Sequence, residues 1–240
     1  MSRVSRRDLL RTALAGSATT VVAWLAPHGA RAADSPLPAP VTDDRYTFFT
    51  PSEVAFVDAA VGRLIPADEL GPGAVEARVT FFIDQQMAGP FGRAESWYMQ
   101  GPFREGEKEQ GYQLRLTPAQ LYRAAIGAID EHCKSTLRKT FAELAPADRD
   151  KVLHGLEGGD IHLDAAPAKE FFAMLWQNTQ EGYFADPIYG GNRDFAGWQL
   201  VGFPGPRYNY IAEIEQYGKV YDVPTVGLAG RSGTAYQRTT

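Results

Sequence analysis

Residues 182–205 obey no regular pattern. Gly and Pro recur too often for a helix to run through them, and their apolar residues follow neither a helical nor a strand period. Yet the stretch carries Phe184, Tyr189 and Trp198, whose large apolar areas must be covered by tertiary packing if the segment is ordered. Asp186, Asn192, Arg193 and Asp194 sit between them and can bond to backbone groups in the turns. Three kinds of object satisfy these demands: an ordered ligand loop, a docking surface for another protein, or a rigid cap on a helical body. The residues alone leave all three open.

The chain on either side reads as helices. Thr50, Pro51 and Glu53 form a capping box, after which Val54, Val57, Val61, Leu64 and Ile65 recur at helical spacing until Pro66. Helical spacing also predicts helices over 74–87, over a long stretch from Thr117-Pro118 through Leu121, Ala125, Ile129, Cys133, Leu137 and Phe141, and over 146–156 and 168–181. A short helix is expected over 208–221 through Ile211, Ile214 and Tyr217. Residues 89–111, with Trp97, Tyr98, Met99 and Phe103 between Gly and Pro breaks, form a second irregular region. The expected fold is therefore mainly α: a single helical domain over 48–221 with two long irregular segments rich in Gly, Pro and aromatics. Irregular connections of that length usually serve a function. Residues 33–47 read as an extended leader and 222–240 as a loosely ordered tail.

The N-terminus has the three parts of an export signal. Arg3, Arg6, Arg7 and Arg11 precede a nearly uncharged run over 12–26, and Ala30-Arg31-Ala32 forms a small-residue exit. Ser5-Arg6-Arg7-Asp8-Leu9-Leu10 resembles the twin-arginine motif, whose route carries folded proteins. Residues 1–32 are thus expected to be a twin-arginine-type signal, which places the mature protein in the periplasm with no membrane span of its own. Removal of five arginines and one acid takes the net charge from −5 to about −9, unsuited to nucleic acid or anionic lipid.

No catalytic constellation emerges. The single cysteine, Cys133, has no disulfide partner within the chain and lies on an apolar helical face, where a thiol packs as a small hydrophobe. His132, His154 and His162 lack metal-site spacing, and Cys-x-x-Cys-His, the haem c attachment sequence, is absent. Gly71-Pro72-Gly73 is a turn and not a nucleotide fingerprint, since a preceding strand and a third glycine are missing. Asp186, Asn192 and Asp194 offer hard oxygen ligands without a calcium-loop motif, and turn-forming bonds to their own backbone account for the same residues. The chain is expected to hold no metal, cofactor or catalytic residue.

Two stretches carry a family resemblance. Phe49-Thr50-Pro51 with Leu64-Ile65-Pro66-Ala67-Asp68, and Asp186-Pro187-Ile188-Tyr189-Gly190-Gly191-Asn192-Arg193 with Gly197-Trp198, resemble the gluconate 2-dehydrogenase subunit 3 family, with a likeness extending over roughly 48–210. The resemblance implies the small subunit of a membrane-associated dehydrogenase for sugars, polyols or sugar acids. In such a complex a large subunit holds FAD and a cytochrome subunit holds haem c, while the small subunit assists folding, export and stability. It implies attachment to the cytoplasmic membrane through those partners. It assigns no catalytic residue; Asp186, Tyr189, Asn192, Arg193 and Trp198 are expected to be structural or interfacial. The alternative is a stand-alone periplasmic enzyme or ligand-binding protein using the 182–205 loop.

Overall fold

The computed structural model describes residues 45–230 except positions 105 and 222. The expected export signal with Arg6 and Arg7, most of the expected leader, and the last ten residues lie outside the described residues. Within them the fold is mainly α. Six helices follow in order: α1 (Pro51–Leu64), α2 (Val79–Ala88), α3 (Pro118–Leu137), α4 (Pro146–Gly158), α5 (Ala168–Phe184) and α6 (Ala196–Leu200). None of them is long and apolar enough to cross a membrane.

Local chemistry sets where the helices start. Thr50 and Thr117 both cap through their side chains, each with Pro in the first turn, and each donates its own backbone N–H in return to the side-chain oxygen of Glu53 or Gln120. The helix expected over 74–87 begins only at Val79, because Arg78 takes a left-handed conformation (φ 60) that no α-helix accommodates. Likewise α3 ends at Leu137 against a left-handed Arg138. Leu137 is consequently exposed, while Phe141 reaches the core from a separate 3-10 turn.

Helix α5 is the centre of the packing, in contact with α1, α2, α3, α4 and α6. Phe171 and Leu175 on its inner face are fully buried, whereas Trp176 is half-exposed, so the aromatic face is narrower than the spacing suggests. Across the core, Phe171 meets Tyr122 of α3 edge-on at 5.4 Å, and Phe56 of α1 meets Phe141 at 4.7 Å. Burial of Tyr122 demands a partner for its hydroxyl, and Asn178 of α5 donates to it at 3.0 Å. Burial also pushes the Tyr122 phenol far above its usual range.

Two charged groups pin the edges of this bundle. Asp84 of α2 is buried and accepts from the backbone N–H groups of Thr47, Phe48 and Phe49 at 2.8, 3.0 and 2.7 Å. The chain entering the domain is thereby fastened to α2. Arg63 at the end of α1 forks onto both carboxylate oxygens of Asp150 in α4, at 2.7 and 2.9 Å.

Candidate functional site

The irregular segment begins later than its glycines suggest, because α5 continues through Gly182 to Phe184. A helix leaves its last carbonyls without intrahelical partners. Here side chains from farther along supply them: the Trp198 indole N–H donates to Phe184 O at 2.7 Å, and the Asn192 amide donates to Ala185 O at 2.8 Å. Helix and segment are thus joined by hydrogen bonds at the helix end.

Asn192 has no exposed surface and works in both directions. Its amide oxygen accepts from the Gly197 N–H at 2.8 Å, so one side chain ties the end of α5 to the start of α6. Its backbone is left-handed (φ 47), a conformation Asn tolerates better than most residues. Trp198 is also buried; its ring stacks on Phe195 at 5.4 Å and meets Phe203 edge-on at 5.0 Å. Asp186 caps the 3-10 turn Pro187–Tyr189 by accepting from Ile188 N–H at 3.0 Å. Its other oxygen accepts from Leu228 N–H at 2.6 Å, drawing in a stretch that the sequence places in the loose tail.

The glycines follow from close approach. A β-carbon on Gly191 would fall on the carbonyl oxygen of Gly182, and one on Gly197 on that of Tyr183. The segment lies too near the end of α5 to admit side chains there. Left-handed backbone at Asn192, Asp194 and Phe195 adds strain, and the adjoining Arg193 N–H reaches Ala77 O at 3.1 Å, beside the left-handed Arg78. Such strain persists only where surrounding contacts over-determine it.

Tyr189 and Arg193 face the other way. Ile188 and Asn192 beside them are buried, but Tyr189 is half-exposed and the Arg193 side chain is 62% exposed, with Asp194 at 3.8 Å. The five signature residues therefore gather in one place yet divide into an inner set (Asp186, Asn192, Trp198) and an outer pair (Tyr189, Arg193).

The chain then leaves the core. Residues 206–221 form no α-helix, only a 3-10 turn at Ile211–Glu213, so the helix expected over 208–221 is absent. Its apolar residues meet no core: Ile211, Ile214 and Tyr217 are exposed, and Gly218 turns the backbone left-handed. Short helices form when a packed face stabilises them, and this one has none. An open concavity of about 410 Å³ lies here, lined in part by Pro204, Tyr210, Glu213, Lys219 and Tyr221.

Among the described residues no group of three or more His, Cys, Asp or Glu side chains is placed to hold a metal. Asp186 directs its carboxylate at two backbone N–H groups, and Asn192 spends its amide on two more backbone groups. Cys133 is buried, and burial together with nearby Asp130 pushes its thiol up to about 11, which leaves no thiolate nucleophile at neutral pH. Sequence reasoning missed Asp84, Ala77 and the returning residues 226–230. Their partners lie far away in the chain or are backbone atoms, so spacing carries no trace of them.

Comparison with known proteins matches residues 51–205 to the family described as gluconate 2-dehydrogenase subunit 3. That span runs from the first residue of α1 to the glycine that follows the Trp198 cluster, well over half the chain. The protein belongs to this family. No curated protein and no solved structure matches it.

Proposed function

We propose that this member of the gluconate 2-dehydrogenase subunit 3 family is the non-catalytic small subunit of a periplasmic, flavin-dependent dehydrogenase complex acting on a sugar, polyol or sugar acid. The observation that carries the reading is the family match over the whole helical body and its capped segment. In this reading the large subunit holds FAD and does the chemistry, and a cytochrome subunit with haem c passes electrons to the membrane, to which the complex is attached through its partners. The present chain binds the large subunit, steadies its fold and supplies the export signal.

The physical features agree with that division of labour. The side chains of Asp186 and Asn192 are spent on backbone groups, which suits a rigid platform better than a reacting centre. A stand-alone active site in this loop would need Asp186 and Arg193 to converge on a concavity. Instead Asp186 accepts from two backbone N–H groups, and the exposed Arg193 side chain lies 3.8 Å from Asp194.

Export supplies the test. A flavoprotein folded around its cofactor cannot thread through an unfolded-chain pore, so it must travel with a companion that bears a twin-arginine leader. Replacing Arg6 and Arg7 with Lys should hold both this chain and the flavoprotein in the cytoplasm, read by fractionation and immunodetection. Normal periplasmic flavoprotein in that variant would refute shared export.

A further inference from the structure

Among the described residues, the most exposed run of apolar side chains begins where the family match ends. Residues 206–221 follow directly on Gly205 and carry Tyr208, Ile211, Ile214, Tyr217 and Val220, exposed by 101, 73, 63, 85 and 90%. They are not a frayed end, because the chain returns and is fastened at the base. Val226 N–H donates to Pro204 O at 3.2 Å, Arg207 donates to Pro224 O at 2.7 Å, and Leu228 N–H donates to Asp186 at 2.6 Å. Gly205 (φ 88) lies so close under the Val226 carbonyl that a β-carbon would collide with it. Tyr210 and Tyr221 approach at 5.8 Å across the two limbs. The result is a loop closed at its foot, with an apolar tip in water.

We infer that this loop is a docking arm that inserts its apolar tip into a groove on the large subunit, with Asp186 as the residue that positions it. The inference rests on the reading above, that a large subunit exists. Area and charge choose the occupant. The five residues together expose about 800 Å², roughly what one partner contributes to a standard-size interface. A second copy of this chain is the poorer occupant, since the full chain carries a charge of −5 and like charges oppose self-association. Because the arm lies beyond the matched residues, it is suited to selecting one large subunit over others while the common core supplies the platform.

The test uses the full chain co-produced with its flavoprotein, comparing wild type, the triple variant I211S/I214S/Y217S, and L70S as a control at another exposed apolar site. The triple variant should retain the flavoprotein at least tenfold less well, with an unchanged circular dichroism spectrum, while L70S behaves as wild type. Equal retention by the triple variant overturns the arm and leaves the small-subunit reading intact. Equal losses for the triple variant and L70S overturn the arm as the particular contact. Failure of the wild type to retain the flavoprotein overturns both the reading and the arm. Sedimentation of the chain alone should show a monomer; a dimer broken by the triple variant, with flavoprotein retention unchanged, would assign the arm to a second copy instead.

Discussion

The two long irregular regions are similar in composition and differ in how deeply their polar bonds are buried. Residues 89–116 are held by rings and by side-chain bonds that are mostly exposed: Trp97 packs edge-on to Phe91 at 5.4 Å and tilts against Tyr112 at 4.8 Å, Arg93 donates to Ala88 O and the Tyr112 hydroxyl to Leu116 O, each at 2.6 Å, while Tyr98 remains 81% exposed. Residues 185–205 are held by rings and by side-chain bonds to backbone, with Asn192, Trp198 and Asp186 each fixing a turn or a helix end. Backbone strain follows the same division. Among the described residues, one non-glycine residue of the first region, Ala94, is left-handed, against Asn192, Asp194 and Phe195 in the second. Ring contacts and exposed bonds tolerate adjustment, whereas a directional bond inside a buried turn does not. The first region covers the core, and the second builds a rigid platform.

Truncation of Trp198 should break that contrast most strongly. Trp198→Ala removes a buried ring together with the cap on Phe184 O, and should cost about 3–5 kcal/mol, lowering Tm by roughly 10 °C. Thermal unfolding checks it. Asn192→Ala comes next at about 2–4 kcal/mol, since it leaves Ala185 O and Gly197 N–H unpaired and puts Ala into a left-handed turn. Chemical denaturation of the purified chain gives that value. Trp97→Ala should cost only about 1–2 kcal/mol, because its ring is half-buried and ends no helix. A loss equal to that of Trp198→Ala would erase the distinction between the regions.

Smaller effects sharpen the comparison. The hydrogen bond from Arg63 holds the Asp150 carboxyl below the usual carboxylate range. A depressed folded value means that the contribution is fully present above the unfolded value, about 3.9, and is lost as pH falls through the lower folded value. Asp150→Asn should therefore be less stable than wild type at neutral pH, and the gap should close as denaturation is measured at successively lower pH in the acid range. Arg193→Ala should change stability by under about 0.5 kcal/mol, its side chain being exposed, yet weaken retention of the flavoprotein. Normal retention would make the outer face of the segment a cap and nothing more.

The sequence revealed helix starts better than helix ends. Thr50 and Thr117 announce α1 and α3 because a cap is local chemistry. Arg78 and Arg138, which set the start of α2 and the end of α3, take left-handed conformations that no side-chain type betrays. The site was legible as a cluster, since Asp186, Tyr189, Asn192, Arg193 and Trp198 do gather at the end of α5. Their directions were not. Asn192 and Arg193 are neighbours, one fully buried and one exposed, and in a turn of left-handed residues no period of 2 or 3.6 assigns faces. The apolar residues over 208–221 misled for a related reason: their spacing fits a helix, but a packed face must exist before spacing has consequences.

The central claim is that chemistry and cofactors belong to a partner which this chain binds. It is tested most directly by purifying the mature protein alone and in complex with the flavoprotein, then recording absorption spectra and acceptor-linked oxidation of sugars, polyols and sugar acids for both. The account predicts a colourless, inactive isolated chain, and a complex whose flavin absorbance and activity require the large subunit. A stoichiometric flavin or haem spectrum on the isolated chain, or turnover by it, would contradict the account.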